Sequence, residues 1–149
     1  MKDAYKPVWA VLIVAAAVLA VAGFSTWNRS TGGKERIPWR TDFDAARAEA
    51  AQTGKPVFAY FTADWCGPCQ SLKSTTWADP NVEAALRNYV PVKVDVDRHA
   101  DLARRYLLTP SNPEGGIPAF RVLDDKGDIR KEIVGAMPPG DFLQWLGSS

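Results

Sequence analysis

Two cysteines occur in the chain, Cys66 and Cys69, and they stand three positions apart within Trp65-Cys66-Gly67-Pro68-Cys69. The run before them, Val57-Phe58-Ala59-Tyr60-Phe61-Thr62, crowds β-branched and aromatic residues behind Gly54 and Pro56, which predicts a strand. The run after them, Gln70-Ser71-Leu72-Lys73, continues a helix opening around Gly67-Pro68. Proline is tolerated there because first-turn N–H groups lack intrahelical partners. This strand-to-helix junction places Cys66 at a helix N-terminus and Cys69 about one turn further in.

Chemistry follows from that placement. Only a thiolate attacks a disulfide, and a free thiol with a pKa of about 8.5 is mostly protonated at neutral pH. Unpaired N–H groups and the positive end of the helix dipole favour the anion at Cys66, which is expected to titrate near ~7. Cys69 is close enough to attack a mixed disulfide on Cys66 and close the Cys66–Cys69 bond. Trp65 offers a flat apolar contact beside the nucleophile, and Pro68 stiffens the loop. Two plainer readings compete. Half a zinc site lacks partners, because zinc takes four N, S or O ligands and the chain has one histidine; no metal is expected. A purely structural disulfide closing so short a loop restrains the unfolded chain less than a long one.

The Trp-Cys-Gly-Pro-Cys motif resembles the active-site signature of thioredoxins, and the likeness runs from about Trp39 to the C-terminus. Gly54-Lys55-Pro56-Val57 and Thr76-Trp77-Ala78-Asp79-Pro80-Asn81-Val82 are similar to exported, membrane-tethered thioredoxin-like proteins, including the C-terminal domain of transmembrane disulfide reductases. The resemblance implies an α/β thioredoxin fold, a central mixed sheet flanked by helices, and thiol–disulfide oxidoreductase activity. It implies no cofactor beyond the Cys66–Cys69 disulfide itself.

It also implies a second site segment. Gly116-Ile117-Pro118 is similar to the loop that faces the paired cysteines in that family, where the proline is cis and the preceding backbone pairs with an extended substrate. A trans proline opening an edge strand is the alternative. Thr109–Glu114 makes the loop before it longer than in a minimal thioredoxin; it either borders the groove or is a plain surface insertion. One departure stands out. Where the family places a buried acid, six residues before the first cysteine, this chain has Tyr60, a poor base at neutral pH. Lys93 matches the lysine that faces that acid, but its partner is missing; an ordinary strand lysine is the alternative. His99 is read as a surface residue, and Asp95 and Asp97 as a strand end and a helix cap.

The N-terminal quarter reads differently. Lys2 and Lys6 precede an uncharged run from Pro7 to Asn28, densely apolar from Val8 to Phe24, with Trp9 and Trp27 near its two ends. As a helix the apolar core spans about 26 Å at 1.5 Å per residue, just enough to cross a bilayer. Residues 1–24 are therefore expected to be a transmembrane signal anchor, with cleavage at Ala20-Val21-Ala22 as the rival. No cysteine closely follows the run, which excludes a lipoprotein anchor. Flanking positive charge lies on both sides and does not fix orientation. A signal-like segment before a single domain argues for export, which puts the redox domain outside the cytoplasm. Residues 25–38, rich in Ser, Thr, Gly and charge, are expected to be a flexible linker, and 39–149 the domain.

Within the domain, Thr41 is expected to cap a helix over 42–52 with Phe43, Ala46 and Ala50 on its buried face. The helix after Cys69 should break near Asp79-Pro80. Strands are expected over 91–96, 119–123 and 129–134, with a hairpin at 124–128. Helices are expected over 97–106 and from Pro138 onward. A net charge of +1 gives no reason to invoke nucleic acid. The reading reached is a membrane-tethered oxidoreductase that reduces protein disulfides and draws electrons from a membrane donor of the transmembrane disulfide reductase type. Disulfide oxidase or isomerase action, and a tethered binding module with incidental redox chemistry, remain the alternatives.

Overall fold

The computed structural model describes residues 33–148. The expected anchor over 1–24, its cleavage site and residues 25–32 lie outside the described residues. Among the described residues no helix is long and apolar enough to cross a membrane.

Among the described residues, each expected strand and helix has a counterpart. Helix α1 (Phe43–Thr53) precedes β1 (Val57–Thr62), then α2 (Gly67–Ser74), a 3-10 turn (Thr76–Ala78) and α3 (Pro80–Leu86). Strand β2 (Val90–Asp95), α4 (Ala100–Leu107), β3 (Ala119–Leu123), β4 (Ile129–Val134) and α5 (Pro139–Gly147) complete the chain. The sheet runs β2-β1-β3-β4. β1 pairs parallel with β2 and antiparallel with β3, and β3 pairs antiparallel with β4. This is the mixed sheet with helices on both faces that the motif implied.

All six residues of β1 are buried, which explains why that run shows no polar alternation. Its residues still alternate between two cores. Phe58 and Tyr60 join Trp77, Leu72, Phe120 and Phe142 on one face. Val57, Ala59 and Phe61 join Phe43, Ala46, Val92, Val94 and Tyr106 on the other. Both cysteines belong to the first.

Several boundaries differ from expectation. Asp42, not Thr41, caps α1, because its Oδ1 accepts the Ala45 N–H at 2.9 Å. Asp97 does not cap α4; it sits in a turn where its N–H donates to Asp95 Oδ1 at 3.0 Å, and the helix begins at Ala100 behind His99. Asp79 caps α3 by accepting the Asn81 and Val82 N–H groups, which fixes the break after α2.

The segment expected as linker is only partly described, and its last residues, 33–38, lie on the domain. Gly33 N–H donates to Ser74 O at 3.2 Å and Arg36 N–H to Trp77 O at 2.8 Å. Ile37 is buried within the Trp77 core. Arg40 then bridges the outer edge of β2, its N–H to Pro91 O at 2.9 Å and its carbonyl to Lys93 N–H at 2.8 Å. A polar, glycine-bearing composition hides this docking, because one buried isoleucine and a few backbone bonds leave no periodic pattern.

Candidate active site around Cys66 and Cys69

The end of β1 delivers the chain to Ala63, whose carbonyl accepts the Cys66 N–H at 3.2 Å. Cys66 is the N-cap of α2, in extended backbone conformation, and its Sγ accepts the Cys69 N–H at 3.3 Å. Pro68 occupies the first turn, where a missing N–H breaks no helix bond. Cys66 and Cys69 form a disulfide. Cys69 is fully buried and Cys66 nearly so, at 4%. The sulfur that reaches the surface first is therefore the one that the helix N–H groups face.

Trp65 and Gly67 are exposed, and Trp65 is held rather than loose. Its Nε1 donates to Asp97 Oδ2 at 2.9 Å. The indole is thereby fastened toward the β2 end of the sheet, with its ring open to solvent beside the cysteine loop. That is the task the sequence missed for Asp97.

Ile117-Pro118 is a cis peptide. Ile117 is half-buried and packs against both cores, one of which contains Cys66 and Cys69. Its own backbone N–H and C=O make no hydrogen bond among the described residues, whereas Gly116 and Pro118 on either side are both fixed.

Beneath the cysteines lies Tyr60. Its ring packs on Trp77, Trp39 and Phe120 at centroid separations of 5.1, 5.4 and 5.6 Å, and its hydroxyl reaches the Cys69 carbonyl at 3.4 Å. Burial pushes the phenol above its ordinary value; the Thr62 and Trp77 side chains oppose that shift and the charge of Glu35 adds to it. Tyr60 fills the acid's place as an aromatic packing residue and stays protonated at neutral pH.

Lys93 lies beside Tyr60 in the β1–β2 register. Its missing partner is Glu35, from the segment expected to be a linker. Glu35 Oε1 accepts from Lys93 Nζ at 2.7 Å and from Trp39 Nε1 at 2.6 Å, and the ammonium stands over the Trp39 ring. An ammonium matched to an empty place in the sequence pattern was the one signal for such an acid; nothing in the sequence pointed to residue 35. Lys93 also lines an open cleft of about 280 Å³ with Thr62, Ala63 and Gln70, adjoining the backbone that leads into Cys66. No cluster of metal-ligating side chains occurs among the described residues.

One further charge is buried on the far side of the sheet. Arg121 is fully enclosed in β3, opposite Glu132 in the β3–β4 register. Its Nε donates to Tyr106 O at 2.8 Å and lies 3.3 Å from Glu132 Oε2, and its Nη1 donates to Phe120 O and Ile133 O. Burial lowers its pKa and Glu132 opposes the shift. Glu132 also accepts from Ser111 Oγ, which ties the 109–114 loop to the sheet. A lone arginine among Ala119-Phe120-Arg121-Val122-Leu123 was the sequence signal that passed unread.

Comparison with known proteins agrees with this geometry. Residues 38–125 match a family model described as thioredoxin-like. The chain is 34% identical over 113 residues to thioredoxin-2 of Pyricularia oryzae, covering 74% of this chain and 58% of that protein. It is 36% identical over 100 residues to the thiol:disulfide interchange protein DsbD 1 of Pseudomonas aeruginosa, covering 66% of this chain and 17% of that protein. Among solved structures, the reduced C-terminal domain of Neisseria meningitidis DsbD aligns with a TM-score of 0.55 at 25% identity, covering 69% of this chain and 90% of that one. The chain thus spans less than two thirds of the length of the first of these curated relatives and about a sixth of the second.

Proposed function

Since the chain belongs to the thioredoxin-like family, we propose that it is a thiol–disulfide oxidoreductase that reduces protein disulfides through a Cys66/Cys69 dithiol–disulfide cycle. The observation that carries this reading is the pairing of the two sulfurs across the first turn of α2, with Cys66 Sγ accepting the Cys69 N–H. In the reduced protein the same N–H donor and the helix N-terminus favour a thiolate at Cys66.

The cycle balances in two exchanges. Cys66 thiolate attacks one sulfur of a substrate disulfide; the S–S bond breaks, a mixed disulfide forms and the other substrate sulfur leaves as a thiolate that takes a proton. Deprotonated Cys69 then attacks Cys66 Sγ, releases the second substrate thiolate and closes the Cys66–Cys69 bond. Two electrons pass to the substrate. Gly116, Ile117 and Pro118 supply the substrate face, with the Ile117 backbone pairing to an extended segment next to the target cysteine. Trp65 covers the apolar flank of the nucleophile. Tyr60 and Lys93 act as auxiliaries by shaping the space beneath the buried sulfur.

Two features support a place outside the cytoplasm, tethered by residues 1–24: the apolar N-terminal run, and the likeness to interchange proteins of the DsbD type. Secretion after cleavage near Ala22 is the variant of this reading. A domain outside the cytoplasm needs a membrane electron donor of the transmembrane disulfide reductase type, because cytosolic reductants do not reach it.

Trapping with Cys69→Ala tests the activity. The variant should accumulate mixed disulfides through Cys66 with protein substrates, and none should form with Cys66→Ala. Equilibration of the wild type with glutathione then reads direction. A potential near ~−270 mV supports a reductant, and one near ~−120 mV would overturn that direction in favour of an oxidase.

A further inference from the structure

Ile117 lies between two anchored neighbours. On one side, Gly135 N–H donates to the Pro118 carbonyl at 2.8 Å. On the other, the side-chain amide of Asn112 takes both backbone groups of Gly116. Gly116 N–H donates to Asn112 Oδ1 at 2.9 Å, and Asn112 Nδ2 donates to Gly116 O at 3.3 Å. A carboxamide facing one residue in this way imitates the paired donor and acceptor of a neighbouring strand. It leaves the next peptide groups, those of Ile117, as the pair without a partner among the described residues.

The Asn112 side chain is well placed to hold that geometry. Asn112 is 6% exposed, one of few buried polar residues. Its own N–H donates to Thr109 O and its carbonyl accepts from Gly115 N–H, at 2.9 and 3.1 Å. Gly115 has φ +68, a left-handed turn that brings Gly116 back onto the asparagine. Next to it, Ser111 donates to Glu132, which pairs with the enclosed Arg121, so the loop is anchored to the sheet. The clamp spans four residues of one continuous segment, so the 109–115 turn fixes the backbone that leads directly into the Ile117-Pro118 peptide.

We propose that Asn112 is a positioning residue for substrate recognition: by clamping Gly116 it presents the Ile117 N–H and C=O in register for an extended disulfide-bearing segment. This rests on the reading of the Ile117 loop as a strand-pairing surface. The 109–115 loop is, on this account, part of the recognition apparatus. Its effect falls on substrates that use backbone pairing and spares small disulfides that do not.

The test measures second-order rate constants of the reduced full-length protein with three probes. One is a peptide whose cysteine carries a 2-nitro-5-thiobenzoate disulfide; the second is the same peptide N-methylated at the amides flanking that cysteine; the third is hydroxyethyl disulfide. Wild type should prefer the unmethylated peptide about tenfold, the worth of one or two net hydrogen bonds. Asn112→Ala should reduce that preference to about twofold while keeping its rate with hydroxyethyl disulfide within twofold of wild type. A variant that keeps the tenfold preference overturns the role of Asn112 and leaves strand pairing intact. No preference in wild type overturns strand pairing and this role with it. Should Asn112→Ala fail to fold, Asn112→Asp reads the same ratio, because it retains the acceptor for Gly116 N–H but repels its carbonyl. A threefold or greater fall in preference supports the role, and an unchanged ratio refutes it.

Discussion

Replacing Tyr60 with phenylalanine asks whether the residue in the acid's place carries a proton. The phenol starts from a reference pKa near ~10 and burial raises it further, so fewer than about one molecule in a thousand is ionised at pH 7. Its hydroxyl stands 3.4 Å from the Cys69 carbonyl, beyond the usual reach of an O–H donor, and losing that contact costs about 1 kcal/mol or less. The ring contacts to Trp77, Trp39 and Phe120 survive in Tyr60→Phe. Resolution of a preformed mixed disulfide, followed in a single turnover by acid quench between pH 6 and 9, should then match wild type within twofold. Tyr60→Asp is the opposite perturbation. It removes a ring enclosed on all sides, at a cost of about 3–5 kcal/mol, and supplies a base near Cys69. Resolution in its folded fraction should quicken about tenfold. A tenfold slowing in Tyr60→Phe would show that the phenol does handle the proton, and the packing account of this residue would be wrong. An unchanged rate in Tyr60→Asp would show that proton removal from Cys69 does not limit the step.

Two further outcomes follow from contacts outside the cysteine loop. A fragment starting at Gly33 should be more stable than one starting at Trp39 by about 3 kcal/mol, from burial of Ile37 and the Glu35–Lys93 pair; coincident urea midpoints would show that 33–38 adds nothing. In the β3–β4 hairpin, Asp124 accepts the Asp128 and Lys126 N–H groups at 2.9 and 3.0 Å and pairs with Arg130, which holds its carboxyl below the usual range. The unfolded chain therefore binds this proton at higher pH than the folded one. Its stabilisation is complete above the ordinary carboxylate pKa of about 3.9 and is lost as pH falls through the lower folded value. Asp124→Asn should flatten the fall in urea midpoint between pH 5 and pH 2.5, and an unaltered slope would remove Asp124 from the account.

The cysteine spacing, the apolar run before it and the proline after Gly67 were enough to place Cys66 at a helix start and Cys69 one turn inside. Those are local matters: a strand pattern, a first-turn proline and an N-cap act within a few residues and leave their mark in the order of the chain. The four strands and the 124–128 hairpin were legible for the same reason. What tertiary structure alone decided was the partnership of residues far apart in the chain. Glu35 meets Lys93 across 58 positions, and Ser111 meets Glu132 across 21, because the sheet and its edge bring those segments together. Asn112 finds Gly116 only through a left-handed glycine whose conformation no periodicity announces. Burial completes the division. A phenylalanine reads as core from composition alone, whereas a charged or amide side chain is buried only where the fold supplies its partner, and that partner is known once the chain has closed around it.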